Sequence, residues 1–249
     1  MSSEELNAFY GSRLGQVAMD LLTAKLRDAW GPAKGLRLAG FGFTAPILDA
    51  FPDVERSVSM VPAGAGPLGS CREVLVDEDR WPLREASVDR LLILHGLEEA
   101  PDPKRTLREA WRVLADDGRV IVVAANRHGF WTLVENSVFA AGRAYSRRQL
   151  INLLGRSLFA PTAQASALYF PPVPRLARVA PLWERTASRL EPLGMPLPNV
   201  AGALLLEARR SMAAPVQGSK AEVLRPFLAP ARRPAGLAAE RDGRKVHRS

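Results

Sequence analysis

Four places in this sequence carry residue types suited to binding a ligand or moving a proton. In LRLAGFGFTAPIL an apolar run passes into Gly40, Phe41 and Gly42 and then into a segment of helical character. Glycines at such a turn let the main chain approach a ligand closely, and the free N–H groups that open a helix attract anionic groups. A glycine pair of this kind serves equally well as a tight connection. Asp77 and Glu78 follow the short apolar run VLV, where a carboxylate either takes hydrogen bonds from a ligand or caps the next turn. His95 ends the run LLIL, and His128 lies in the loop after IVVAA. Histidine is the side chain whose ordinary pKa suits general-base work near neutrality, and each of the two reads alternatively as a structural or solvent-facing residue. The remaining histidine, His247, is remote in sequence and Cys71 is the single cysteine, so the spacing offers neither a metal site nor a disulfide framework.

Positioning these residues requires a scaffold, and the hydropathy pattern supplies one. Short apolar runs alternate with amphipathic stretches, the pattern of repeated strand-helix units around a mostly parallel sheet. Strands are expected over 36–41, 56–61, 72–76, 89–95, 119–125, 164–170 and 201–207. A first helix is expected from residue 4 or 13 to 29, with Leu14, Val17, Leu21, Leu22 and Leu26 at helical spacing before Gly31-Pro32. The clearest helix follows Asp102, an N-cap, and Pro103, which suits the first helical position. Its apolar face is Leu107, Ala110, Trp111 and Leu114, which places Trp111 in the core. Ser146 caps a helix through Leu154, and another helix is expected over 175–190.

The stretch from residue 72 to 131 resembles the class I, S-adenosylmethionine-dependent methyltransferases, especially the type 11 small-molecule group. The resemblance rests on Asp77 at the end of the third strand, the Trp81-Pro82-Leu83 step, SVDRLLILHGLEEAPDP, LREAWRVLADDGRVIVV and the Asn126 loop ending at Trp131. AYSRRQLINLL and AGALLLEAR fit the later helix and final hairpin, so order and spacing agree over about residues 5–210. It implies a Rossmann-like α/β fold, with a seven-stranded mostly parallel sheet, an antiparallel last strand and helices on both faces. It also implies S-adenosyl-L-methionine as cofactor. Gly40, Phe41 and Gly42 would form the loop beneath the methionine part, and Asp77 would accept from the adenine amino group. Glu78 would offer its backbone N–H, Trp81 and Leu83 an apolar wall, and His95 would face the methionine end or the substrate. His95 or His128 would be the base for an acceptor needing deprotonation. Phe9-Tyr10 reads either as a lid over the cofactor or as the hydrophobic docking of the first helix.

The sequence departs from that pattern at three positions. Leu38 stands where the first motif has an acidic residue, and Thr44 where it has a third glycine. The segment at Met60, Val61 and Pro62 lacks the carboxylate that grips the ribose hydroxyls. A buried hydroxyl without its acceptor costs about 1–3 kcal/mol, one to two decades of affinity. Two readings follow: a methyltransferase for a small or medium acceptor with a weakened cofactor grip, or a methyltransferase-like binding or regulatory protein without catalysis. The glycine-rich stretch 64–69 reads as a replacement cofactor loop or a plain connection.

Composition sets the outer bounds. The 249 residues can bury one substantial core. The acidic start has no apolar segment of signal-peptide length, and the longest apolar runs fall far short of a bilayer span, so a cytoplasmic protein is expected. The formal charge of +8 is concentrated at the end, where residues 213–249 hold eight Lys/Arg against three acids, with four prolines and few large apolar residues. Residues 1–212 are therefore the expected methyltransferase-like domain, and 213–249 an expected disordered basic tail. Such a tail suits an anionic partner such as nucleic acid, although Phe227 is its one aromatic residue for stacking.

Overall fold

The computed structural model describes residues 3–65, 73–134, 137–190, 200–212 and 224–227. Eight strands form one sheet: β1 (Arg37–Gly42), β2 (Arg56–Pro62), β3 (Glu73–Val76), β4 (Val88–Leu94), β5 (Leu114–Ala125), β6 (Phe159–Ala167), β7 (Ala203–Arg210) and the two-residue β8 (Arg225–Pro226). Their order is β3-β2-β1-β4-β5-β7-β6-β8. Strands β1 to β5 pair in parallel, whereas β7 runs antiparallel between β5 and β6. All seven expected strands are present. The eighth falls in the basic tail, where Phe227 N–H donates to the Gln164 carbonyl at 3.1 Å and Phe227 packs partly buried against the core. The rest of the tail lies outside the described residues.

Successive residues of a strand face opposite sides of the sheet, and both sides are apolar here. Leu92, Leu94, Ile121, Val123 and Leu205 face one layer, while Leu91, Ile93, Val120, Val122 and Leu206 face the other. The first layer holds α1 (Ser3–Gly11), α2 (Arg13–Trp30), α3 (Ala45–Leu48) and α6 (Ala180–Leu190); the second holds α4 (Pro103–Val113) and α5 (Arg147–Arg156). Burial on both faces explains why these strands read as near-continuous apolar runs.

Four local features differ from the sequence expectation. The first helix is two helices, because Ser12 is extended and caps α2 by accepting from Gly15 N–H. β6 starts at Phe159 and ends at Ala167, since the N–H groups of Leu168 and Tyr169 donate instead to the buried Glu184 carboxylate at 3.2 and 3.1 Å. Burial pushes that carboxyl up while Lys25 and the two N–H groups pull it down. The Lys25 ammonium also donates to the Ser166 carbonyl and lies 3.6 Å from Glu184, tying α2, β6 and α6 together. The expected helix over 175–190 begins only at Ala180, after a short turn of 3-10 helix at Pro174–Leu176. Trp111 is half-buried rather than core; its ring lies under the Arg210 guanidinium at 3.8 Å and its N–H donates to Ser211.

A bidentate ion pair fastens the entry ends of β1 and β4. Asp89 accepts from Arg37 N–H, Nε and Nη2 at 2.8, 2.9 and 2.7 Å. The hydrogen bonds from Arg37 hold the Asp89 carboxyl below its ordinary range. A depressed folded-state pKa adds stability above the ordinary aspartate range, and that stability is lost as pH falls through the folded value. Asp89→Asn is expected to lower unfolding free energy by about 1–2 kcal/mol at pH 7 in urea titrations, the gap to the parent closing as the pH falls below the ordinary aspartate range. At the α1-α2 joint, a Cβ on Gly15 would fall 2.0 Å from the Phe9 carbonyl oxygen. Gly15→Ala should therefore displace α1, read as faster amide exchange over residues 3–11 with the sheet amides unchanged.

Candidate functional site

The glycine turn after β1 is built by crowding. Gly42 adopts φ +92°, and a Cβ there would strike the Leu94 carbonyl oxygen at 2.0 Å. Phe43 N–H donates to the same carbonyl at 2.9 Å, so the exits of β1 and β4 are held against each other. Gly40 has a different reason: its Cβ would meet Thr44 Oγ1 at 2.0 Å. Thr44 is fully buried, with Oγ1 at 2.9 Å from Ser59 Oγ, so the third-glycine position is filled by a side chain bonded to β2. α3 has only four residues and contains Pro46, so the expected helix N-terminus is no anion site.

Beyond this turn the carboxyl ends of β1 to β4 open into two adjoining clefts. One, of about 350 Å³, is lined by Leu6, Gly42, Val61, Glu78, His95 and Glu99, among others. The other, of about 520 Å³, is lined by Gly64, Val76, Asp77, Glu78, Asp102 and Arg105, among others. Gly64 and Glu78 line both, so the two clefts lie side by side along one crevice at the strand exits. Burial, reinforced by Asp79 and Glu99, pushes the Glu78 carboxyl above its ordinary value. A positive ligand group would be favoured beside this acidic wall.

The sequence candidates divide here. Gly42, Asp77, Glu78 and His95 line the crevice. Phe41 and Met60 are fully buried in the layer beneath it, and Phe41 stacks on the buried Trp81 at 4.9 Å and 30°. Trp81 is thus part of the floor, while Leu83 lines a separate cleft with Arg37 and Arg56 at the entry ends of the strands. The Trp81-Pro82-Leu83 step is fixed to α4, because Arg112 donates to the carbonyls of Trp81 and Leu83 and Glu109 accepts from Trp81 N–H. Leu38 is core. His128 is exposed, with its N–H on Asn126 Oδ1 at 3.3 Å, and Cys71 lies outside the described residues. Sequence reasoning missed Glu99 and Glu98; the double acid directly after His95-Gly96-Leu97 was the available signal.

His95 is the chemically most developed residue of the crevice. It is buried and holds φ +56°, a left-handed conformation that costs a non-glycine residue about 1 kcal/mol or more. Its Nε2 lies 2.7 Å from the Tyr10 hydroxyl, and its Nδ1 lies 3.7 Å from Glu98 Oε1. The Glu98 carboxylate is in turn fixed by Ala125 N–H at 3.1 Å and Leu97 N–H at 3.2 Å. Nδ1 is buried without a hydrogen-bond partner, so Glu98 acts on the ring by charge at 3.7 Å rather than by a hydrogen bond, and the 2.7 Å contact with Tyr10 is the one hydrogen bond of the ring among the described residues. Burial, with Glu98 adding to it, pushes the Tyr10 phenol well above its ordinary pKa, so the ring stays neutral. Phe139 closes the other side of the imidazole at 5.0 Å. Among the described residues no cluster suits a metal ion, and no helix is long and apolar enough to cross a membrane.

Comparison with known proteins agrees with this arrangement. A family model described as a methyltransferase domain matches residues 53–122. The Escherichia coli (strain K12) protein YafS is 41% identical over 61 residues, a stretch covering 24% of this chain and about a quarter (25%) of that one. Among solved structures, a methyltransferase bound to the Haloferax volcanii Trm112 activator has TM-score 0.57 at 16% identity, covering 86% of this chain and 99% of its own. A Thermotoga maritima SAM-dependent methyltransferase has TM-score 0.53 at 15% identity, with 78% and 91% covered. The [4+2]-cyclase SpnF has TM-score 0.54 at 19% identity, with 78% and 82% covered. The strand order, the crevice at the exits of β1 to β4 and the methyltransferase-domain sequence from residue 53 to 122 together give this chain the class I, S-adenosylmethionine-dependent methyltransferase fold.

Proposed function

We propose that the protein is a methyltransferase that uses S-adenosyl-L-methionine and acts on a small or medium acceptor. The observation carrying this reading is the pair of adjoining clefts at the strand exits, one lined by Asp77, the other by His95, with Glu78 on both. Asp77 would hold the adenine amino group, Glu78 N–H the ring, and the chain at Gly42 the methionine end. Val61 and Pro62 leave the sugar without its customary carboxylate, and Glu99, on the same wall, is the acid within this cleft suited to take over a hydroxyl. When bound, the cofactor supplies a methyl group already activated on a sulfonium, so the chain has to align the acceptor, exclude water and accept a proton where one must leave.

Fold alone does not choose between transfer and another reaction, since a [4+2]-cyclase shares it. What favours transfer is the acidic wall of Glu78 and Glu99 in the cleft that also holds Gly42 and His95, which suits the cationic methionine end of the cofactor. We assign the domain to residues 1–212 and regard 213–249 as a basic appendage, with placement in the cytoplasm, where this cofactor is made and consumed. Calorimetry with S-adenosylhomocysteine and S-adenosylmethionine is the test. Both should bind, and Asp77→Ala should weaken each about fivefold to tenfold, the loss of one hydrogen bond to a ligand. No heat of binding at millimolar ligand would end this reading.

A further inference from the structure

The N-terminal helix α1 covers His95 with one face. Leu6, Phe9 and Tyr10, at helical spacing, point inward, whereas Glu4, Glu5, Asn7 and Ala8 are exposed. Leu6 lines the cleft, and the Tyr10 ring lies on Phe43 at 4.5 Å and 13° with its hydroxyl on His95 Nε2. Phe9 meets Phe139 and Trp131 edge-on at 6.3 and 6.2 Å. A helix of nine residues has little stability of its own and stays only while docked. It is joined to α2 through the extended Ser12, a natural pivot.

Tyr10 therefore presents a phenol to a histidine in the geometry that a bound aromatic alcohol would take: ring flat on Phe43, hydroxyl on Nε2, and the opposite nitrogen backed by a fixed carboxylate. The histidine that receives it holds a left-handed conformation at the end of β4 and lines the cleft beside Gly42. Resting on the methyltransferase reading above, we propose that α1 is a displaceable lid, that Tyr10 holds the acceptor's place, and that the acceptor is a phenol whose hydroxyl is delivered to His95. With the cofactor bound to supply its methyl group, the phenolic proton would pass to His95 Nε2 and the oxygen lone pair would form the bond to the methyl carbon as the carbon–sulfur bond broke with its electrons on sulfur. The products would be an aryl methyl ether and S-adenosylhomocysteine, and the imidazolium beside Glu98 would return the proton to water.

The full chain with S-adenosylhomocysteine, titrated with p-cresol and with 4-methylanisole, tests this by calorimetry and hydrogen exchange. p-Cresol should bind and accelerate exchange across residues 3–11, and 4-methylanisole, which has no hydroxyl proton to give, should bind at least about fivefold more weakly. Tyr10→Phe, which removes the internal competitor's hydrogen bond and opens the lid more often, should bind p-cresol about fivefold more tightly. His95→Phe should abolish the preference for p-cresol. Methylation of the p-cresol oxygen in the presence of S-adenosylmethionine should be seen by mass spectrometry in the parent. Binding of S-adenosylhomocysteine with no effect of p-cresol on residues 3–11, or a Tyr10→Phe variant no tighter than the parent, overturns the inference and leaves the cofactor reading standing. Lid displacement by p-cresol in a chain that fails to bind either form of the cofactor keeps the phenol site and removes the methyl transfer.

Discussion

The site hangs on one carboxylate. Glu98 is buried, and each of its oxygens meets a backbone N–H, that of Leu97 after β4 and that of Ala125 at the end of β5. Its own carbonyl accepts from Arg143 N–H at 2.7 Å, and the neighbouring Leu97 carbonyl accepts from the Tyr145 hydroxyl. A buried charge survives only when it is thoroughly bonded, and one so bonded fixes whatever lies against it. The His95 ring lies beside it, Nδ1 at 3.7 Å from Oε1, and the second nitrogen meets the Tyr10 hydroxyl of α1.

The remainder of the crevice follows from how closely the strand exits approach. Because Gly42 lets β1 run against the Leu94 carbonyl, the turn has no slack. The space that a flexible glycine loop would occupy is taken by Thr44 bonded to Ser59. The acid missing from the end of β2 is consistent with the same design, since Met60 is enclosed by Phe41, Val76 and Trp81 in an apolar layer that would not tolerate an unpaired carboxylate. Acidic side chains instead gather on the outer wall at Glu78 and Glu99, where burial first, then Asp79 and Glu99, push the Glu78 carboxyl up.

On the opposite side of β5 the same logic of bonded interior polar groups recurs. Asn126 donates to the Ala201 carbonyl at 2.8 Å and accepts from His128 N–H, and Trp131 donates to the Phe170 carbonyl at 2.8 Å. Gly129 and Gly202 lie where any Cβ would strike Ala201 or Trp131, so the Asn126 loop packs directly on the start of β7. The motif from Asn126 to Trp131 is in this way a device for closing the wall behind Phe139 and His95. Chemistry is left to the side of the crevice that faces α1.

The sequence alone determined the sheet and its helices, because a strand buried on both faces and a helix with one apolar stripe each leave a periodic trace of hydropathy. Asp102-Pro103 and Ser146 were legible as helix caps, and Asp77, Glu78, Gly42 and His95 were named through the resemblance of the 72–131 segment to the class I methyltransferases. Tertiary structure decided what periodicity cannot encode. Which side Met60 and Trp81 face, that Leu83 belongs to another cleft, and that Ser12 splits the first helix depend on packing between segments distant in the chain. The pairing of Tyr10 with His95 spans 85 residues, and no local pattern marks it. It exists because the α1-α2 joint brings an aromatic ring over the end of β4 at the point where Glu98 holds the histidine still.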